Sequence, residues 1–200
     1  MRLMRRKIDD FLKEWKENED RLPLIVKGAQ QIGKTASIMQ FANDNYRNVV
    51  AINFVLQQKF KSIFDDGYDV DSIVRNITLI NPNIELEPGN TIFFFDEMQD
   101  CPVCATSLKA FKIDGRYDVV CSGSLMGINY QEIESNSVGY KEDYTMHSMD
   151  FEEFLWAKGY DSAFVERLFE KMVSVTPLSS LEMDVLGGLS AECRRWSVCL

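Results

Sequence analysis

The chain has 200 residues, a length that fits one domain or one domain with part of a second. Hydrophobic residues make up 46% and charged residues 26%, which are ordinary values for a globular protein and exclude a disordered chain. The net charge of -9 argues against a protein that coats nucleic-acid phosphates without sequence preference, although Arg2, Arg5, Arg6 and Lys7 form a local basic cluster.

The first half of the chain alternates amphipathic stretches with short apolar runs. Apolar residues at helical spacing predict an amphipathic helix over residues 5–19. The runs at 24–26 and 49–54 are too short for helices and suit strands buried on both faces of a parallel sheet. Helical stretches follow these two runs at 34–46 and 70–79.

The alternation continues through the second half of the chain. Apolar runs at 91–95 and 117–121 predict a third and a fourth strand, with a helix over 105–111 between them. A weaker signal predicts a fifth strand over 144–149.

Two helices are predicted after the last strand. Asp150 and Glu153 form a variant of the capping box, which begins a helix that runs through Trp156. Asp161 is expected to cap a further helix that runs through Met172.

This order of elements predicts an α/β fold. Strands that alternate with helices form βαβ units with right-handed crossovers, so a parallel sheet with helices on both faces is expected. We assign residues 1–20 to an N-terminal amphipathic helix, 21–175 to the core, and 176–200 to a poorly specified C-terminal tail.

A phosphate-binding loop follows the first predicted strand. The sequence GAQQIGKT at 28–35 matches every fixed position of the pattern G-x-x-x-x-G-K-[ST], between a buried strand and a helix. Backbone N–H groups of such a loop and the positive end of the following helix bind phosphate. The alternative is a glycine-rich turn without a ligand. The predicted nucleotide-binding residues are Gly28, Ala29, Gln30, Gln31, Ile32, Gly33, Lys34, Thr35 and Ala36.

Two side chains of this loop have specific expected roles. Lys34 is expected to reach the β and γ oxygens of a bound triphosphate, and the Thr35 hydroxyl is expected to be a ligand of Mg²⁺. Both residues lie at the start of the helix that follows the loop, so both are near the bound anion.

An acidic pair, Asp96 and Glu97, directly follows the third predicted strand. Ligands bind at the carboxyl ends of parallel strands, so this pair is expected beside the phosphate loop. Asp96 is then placed to hold Mg²⁺, and Glu97 to orient and polarise an attacking water. Such a glutamate suits hydrolysis by water, whereas small-molecule kinases usually lack it and carry an arginine-rich lid, which is not seen after the fourth strand.

The fourth strand ends in two serines, and one of them is a candidate sensor of the γ-phosphate or the attacking water. The alternative is a serine-glycine turn at the end of the strand without that role. The sequence does not choose between Ser122 and Ser124. A transition-state arginine is harder to find, because Arg116 precedes the fourth strand, Arg75 has no evident route to the site, and Lys141 is only a candidate. We therefore expect a slow ATPase, or a cation supplied by a partner or a neighbouring copy.

The cysteines and the termini suggest a reduced, cytoplasmic chain. Five cysteines give no disulfide framework, and Cys101 with Cys104 lacks the further ligands that a zinc site needs. No apolar run approaches the ~18 residues that span a bilayer, and the basic start is not followed by the apolar stretch of a signal peptide.

Four segments together carry a family resemblance. The chain resembles the prokaryotic AAA-like ATPases, whose core is followed by a nuclease-like C-terminal domain of unknown function. The segments that carry this resemblance are GAQQIGKT, FFFDEMQDCP, CSGSLMGINY and MDFEEFLWAKG. The resemblance covers roughly residues 5–175. It implies a three-layer P-loop NTPase fold of the ASCE type with strand order 5-1-4-3-2, the use of ATP and Mg²⁺, a cytoplasmic setting, and a sensor role for Ser124.

Two departures from the family pattern bear on function. Tyr140 stands where members often have an arginine. Members are usually about twice as long, so we expect the winged-helix and nuclease-like portions to be missing and the chain to be truncated. The first hypothesis is an ATP-hydrolysing module that couples nucleotide state to a protein or DNA partner, with homo-oligomerisation left open. The second is a non-hydrolysing ATP-binding module or remnant, and the third is a small-metabolite kinase.

Overall fold

The computed structural model describes residues 4–124, 139–174 and 176–187. They belong to two compact units. The sheet unit comprises the described residues of 8–146, and the helical unit comprises those of 4–7 and 147–187. The predicted domain boundaries at 20/21 and 175/176 stay predictions, and the predicted tail lies partly outside the described residues.

The sheet unit contains a five-stranded parallel sheet. Its strands are β1 (Leu24–Gly28), β2 (Asn48–Asn53), β3 (Thr91–Asp96), β4 (Asp118–Ser124) and β5 (Glu142–Thr145). The strand order is β2-β3-β4-β1-β5, and every neighbouring pair is parallel. This is the predicted order read from the opposite edge, so the α/β fold with this sheet is confirmed.

Four helices accompany these strands: α1 (Lys7–Glu17), α2 (Lys34–Asn45), α3 (Val70–Ile80) and α4 (Cys104–Asp114). They confirm the four predicted helices, with ends that differ by a few residues. Two 3₁₀ helices, Gln58–Phe64 and Met98–Asp100, had not been predicted. Asp69 is the N-cap residue of α3, because its carboxylate accepts a hydrogen bond from the Ser72 N–H.

The fifth strand was predicted too late in the sequence. It was expected at 144–149, but it spans Glu142–Thr145 and pairs with residues 24–27 of β1. The last hydrogen bond in this direction joins the Met146 N–H to the Lys27 carbonyl oxygen. Because β1 ends at Gly28 and the chain then enters the phosphate loop, residues 147–149 have no strand to pair with.

Alternating side chains of the buried central strands build two cores, one on each face of the sheet. Phe93 and Phe95 belong to a cluster that includes Ile73 of α3 and Leu108 of α4. Ile92 and Phe94 face the other way, into a cluster that also contains residues of α1 and α2. Every residue of β3 is buried, which explains the continuous apolar run and places its polar end, Asp96, at the sheet edge.

The helical unit contains α5 (Phe151–Ala157) and α6 (Ser162–Val173), and residues 180–187 are also helical. The predicted capping box is confirmed, because the Asp150 side chain accepts from the Glu153 N–H and the Glu153 side chain accepts from the Asp150 N–H. Asp161 also caps α6 as predicted, since its carboxylate accepts from the Phe164 N–H at 2.7 Å.

The basic cluster near the start of the chain contacts acidic and aromatic groups of the helical unit. Arg6 Nε lies 3.1 Å from the Glu153 carboxylate, and Lys7 Nζ lies 2.6 Å from Asp150. The Arg5 guanidinium stacks over the Trp156 ring at 4.3 Å. Arg6 and Lys7 therefore form ion pairs within the helical unit, and Arg5 forms a cation–π contact there.

Parts of the sequence analysis fall on residues outside the described ranges. These are Arg2, Cys193 and Cys199, the end of the third resemblance-bearing segment at 125–130, and the last part of the tail at 188–200. Among the helices that the structure does describe, none has the length and apolar character needed to cross a membrane.

Candidate functional site

The phosphate loop joins the end of β1 to the start of α2, as the sequence predicts. Gly28 is the last residue of β1 and Lys34 is the first residue of α2. Gly33 has φ 98°, a left-handed conformation that favours glycine, and Gln31 also has a positive φ of 62°. The loop thus turns sharply into the helix, whose N-terminal N–H groups are available to an anion.

Gly28 is required for a different reason, which is close packing. A Cβ atom at this position would lie 2.7 Å from the Ile32 Cδ1 atom and well inside contact distance of the Met146 carbonyl oxygen. Met146 follows β5, the strand that pairs with β1. The first glycine of the motif therefore lets the edge of the sheet approach the loop closely.

The Lys34 side chain folds back over its own loop. Its ammonium group donates to the carbonyl oxygens of Gly28 at 3.0 Å and Ala29 at 2.6 Å. Burial lowers the pKa of Lys34, while the negative charges of Glu97 and Asp96 act in the opposite direction. The lysine and both acidic residues therefore share one electrostatic environment at this end of the sheet.

Three side chains donate hydrogen bonds to Asp96 at the carboxyl end of β3. Its buried carboxylate accepts hydrogen bonds from the Thr35 hydroxyl at 3.2 and 3.3 Å, from the Asn53 amide at 2.9 Å, and from the Ser122 hydroxyl. These donors come from the phosphate-loop helix and from the ends of β2 and β4, the two neighbours of β3. The structure thus brings together residues that are far apart in the sequence.

Glu97 leaves the strand in a different direction from Asp96. It has φ 56° and ψ 48°, a left-handed conformation that is uncommon for a residue with a side chain. Its carboxylate accepts a hydrogen bond from the Gln99 side-chain amide. The Gln99 carbonyl oxygen in turn accepts from the Ser124 N–H at 3.3 Å. The acidic pair is therefore split between two separate hydrogen-bond networks.

The two candidate sensor serines occupy different positions. The Ser122 side chain contacts Asp96, whereas Ser124 contacts Gln99 through its backbone and pairs with Gly28 in the sheet register. Both serines are buried at the end of β4. The sensor role expected for Ser124 stays a prediction, and Ser122 is the serine whose hydroxyl reaches the acidic residue.

Asn53 is a site residue that the sequence analysis missed. Besides binding Asp96, it accepts with its side-chain oxygen from the N–H groups of Val55, at 3.1 Å, and Leu56, at 2.9 Å. The sequence does contain a signal for this role, because Asn53 is the polar residue that ends the apolar run of β2. The reasoning that placed Asp96 at the ligand-binding edge applies equally to Asn53.

The candidate cations have carboxylate partners. Arg116 contacts Asp71 at 2.6 Å and Asp114 at 2.7 Å, and Arg75 lies 3.8 Å from Asp66. Arg116 lies just before β4, at the end of the strand opposite to Ser122.

Lys141 is also engaged, in a cluster beside β1. Its ammonium lies 2.5 Å from the Asp143 carboxylate, which Lys27 contacts at 2.8 Å. Burial of Asp143 opposes its ionisation, but the hydrogen bonds from Lys141 and Lys27 outweigh burial and hold the pKa of Asp143 below its ordinary value. Lys141 thus serves as an ion-pair partner at the edge formed by β1 and β5.

The described cysteines are buried in the core of the sheet unit. Cys104 Sγ and Cys121 Sγ are 4.0 Å apart, and burial raises the pKa of Cys101 to about 11. Buried thiols of this kind pack as small apolar groups. Within the part of the chain that the structure describes, no three His, Cys, Asp or Glu side chains are grouped to hold a metal ion.

Comparison with known proteins gives the family. No curated protein matches the chain. Among solved structures, the chain is similar to C. elegans PCH-2, with a TM-score of 0.44 and 13% identity, over 71% of this chain and 42% of the PCH-2 chain. The chain thus spans less than half of the length of that protein. A family model described as an AAA domain matches residues 20–155, which is more than half of the 200 residues. This chain therefore belongs to the AAA domain family and is a nucleotide-binding, AAA-like P-loop module.

Proposed function

We propose that this chain binds ATP together with Mg²⁺, hydrolyses it slowly, and uses the nucleotide state to control a partner. The observation that carries the proposal is the contact of 3.2–3.3 Å between the Thr35 hydroxyl and the Asp96 carboxylate. These residues end the two motifs that magnesium-dependent ATPases use, and they meet although 61 positions separate them.

The residues present fit a magnesium ion. Mg²⁺ prefers oxygen ligands and is commonly bound by one or two protein groups together with phosphate oxygens and water. Thr35 and Asp96 would supply a hydroxyl and a carboxylate of this kind. When bound there, Mg²⁺ would neutralise charge on the β- and γ-phosphates.

The loop residues bind the triphosphate in this proposal. The N–H groups of residues 28–36 and the N-terminus of α2 attract the phosphates, and Gly28 and Gly33 permit the necessary backbone path. Lys34 must exchange its two carbonyl contacts for phosphate oxygens. Because its ammonium is already buried beside the loop, this exchange needs a change of side-chain conformation only.

Glu97 acts on the attacking water. Its carboxylate would accept a hydrogen bond from the water and orient it toward the γ-phosphate, with Ser122 or Ser124 sensing that phosphate. An arginine finger is worth about 10³–10⁵ in rate, and Arg75, Arg116 and Lys141 are each engaged with carboxylates. Slow turnover by the isolated chain follows, with acceleration when a partner or a second copy supplies a cation.

The wider setting is proposed from the family resemblance. It favours ATP over GTP, a cytoplasmic location, and a protein or DNA partner that is reached through a C-terminal region of the nuclease-like kind. The net charge of -9 makes sequence-independent binding to DNA by this chain alone the less favoured choice.

Phosphate release in the presence of Mg²⁺-ATP tests the proposal, with and without DNA. We expect slow release by the natural chain, at least a hundredfold less release by Glu97→Gln with ATP binding retained, and loss of ATP binding by Lys34→Ala. Turnover that survives Glu97→Gln would contradict the role of Glu97. Absence of ATP binding by the natural chain would contradict the proposal as a whole.

One observation favours a second function, a module that binds ATP without hydrolysing it. The candidate cations Arg75, Arg116 and Lys141 are each paired with carboxylates. This module would be stabilised by ATP, by about 2.7 kcal/mol at a hundred times the Kd, with no phosphate release. A thermal shift without turnover, with DNA present or absent, would select it.

A further inference from the structure

We infer that Gln99 is a positioning residue, which fixes the direction of the Glu97 carboxylate by tying it to the end of β4. This inference rests on the proposed function of Glu97 and adds a residue to it. The starting observation is that the Gln99 side chain bridges two groups, the Glu97 carboxylate and the Ser124 N–H.

The two partners determine which way the Gln99 amide points. A carboxylate only accepts hydrogen bonds and a backbone N–H only donates, so the NH₂ group must face Glu97 and the oxygen must face Ser124. Both ends of the amide are therefore used. A glutamine that merely filled space would not need this complementary pair of partners.

The local backbone supports the bridge. Glu97 has a left-handed conformation, and the 3₁₀ helix Met98–Asp100 follows it directly. This tight turn brings the side chain two residues later back toward the carboxylate. The buried Met98 side chain, between them, anchors the turn in the core of the sheet unit.

The far end of the bridge lies beside the phosphate loop. Ser124 ends β4 and is the register partner of Gly28, the first residue of the loop motif. A shift at the end of β4 is therefore transmitted through a single side chain to Glu97. Gln99 thus connects the strand end that is expected to sense the γ-phosphate with the residue that is expected to orient the water.

Substitutions of Gln99 separate positioning from general packing. Gln99→Ala removes the bridge, and Gln99→Glu keeps the shape but replaces the donor with a second carboxylate. We expect both variants to bind Mg²⁺-ATP with an unchanged KM, and kcat at pH 8 to fall about ten- to hundredfold because the water is misaligned. The matched control is Gln40→Glu, which makes the same charge change at an exposed position of α2 and should leave kcat unchanged. A kcat of either variant at pH 8 equal to that of the natural chain would overturn the inference, and so would a loss that appears in KM with kcat unchanged.

A second measurement does not depend on turnover. In a spectrum of the side-chain amides of the seven glutamines, the Gln99 signal is the one that Gln99→Ala removes. We expect Glu97→Ala to shift this signal and to leave the other six in place. An unshifted Gln99 signal would refute the bridge even if the chain proves inactive, whereas a shift without any phosphate release would keep the bridge and contradict only the proposed hydrolysis.

Discussion

Replacement of Gly28 with alanine tests the close packing between the phosphate loop and the edge of the sheet. Gly28 does not have a positive φ, so alanine can adopt its backbone conformation and the effect comes from contacts alone. Its new methyl group would meet the Met146 carbonyl oxygen and, at 2.7 Å, the Ile32 Cδ1 atom. The Ile32 Cδ1 atom is the end of a flexible side chain, which can rotate away. The Met146 carbonyl belongs to the backbone and cannot move in this way.

The Met146 carbonyl cannot yield without disturbing β5. The Met146 N–H is bound to the Lys27 oxygen at 2.7 Å, and the preceding residues pair with β1. The substitution must therefore push the short edge strand β5 or the loop itself out of place. Overpacking of this kind destabilises by about 1–3 kcal/mol. For a chain of this size that corresponds to a decrease in Tm of roughly 2–12 °C.

Thermal unfolding with and without Mg²⁺-ATP measures both consequences. We expect the decrease in Tm together with a smaller stabilisation by ATP, because the displaced loop binds phosphate less well. Gly115→Ala is the control, since Gly115 has φ 71° but nothing within 4 Å of an added Cβ, so it carries a backbone penalty without a contact near the loop. A Gly28→Ala protein with unchanged Tm and unchanged ATP stabilisation would refute the packing argument.

Two further predictions concern polar groups of the sheet unit. Asn53→Ala removes the donor to Asp96 and the acceptor of the turn at 55–56, so we expect a loss of about 1–3 kcal/mol in the free energy of unfolding and weaker Mg²⁺-ATP binding, measured by urea unfolding and titration. Unchanged stability would show that water replaces both contacts. Asp143→Asn tests the lysine cluster: a carboxyl with a depressed pKa stabilises the fold above its ordinary pKa of 3.8, and this contribution disappears as the pH falls through the lower folded pKa. The difference in unfolding free energy between the natural chain and this variant should be constant near pH 7 and shrink below about pH 4, and a difference that does not change with pH would contradict the ion pairing.

The sequence predicts those features of this fold that local chemistry decides. β3 is recognisable because all of its side chains are buried, and the order of strands and helices limits the topology to a few choices. The capping box of α5 is recognisable because Asp150 and Glu153 satisfy each other within a single turn. In these cases the signal lies within a short segment of the sequence, although the residues that bury β3 are distant from it.

The remaining features depend on neighbours that are distant in the sequence. β5 ends where its pairing partner β1 ends, and the sequence of residues 142–149 carries no signal for that position. Asn53 becomes a partner of Asp96 only because β2 lies beside β3, and the choice between Ser122 and Ser124 depends on which hydroxyl points along the sheet toward Asp96. Side-chain direction at a strand end follows from the pairing register, so it was accessible only in three dimensions.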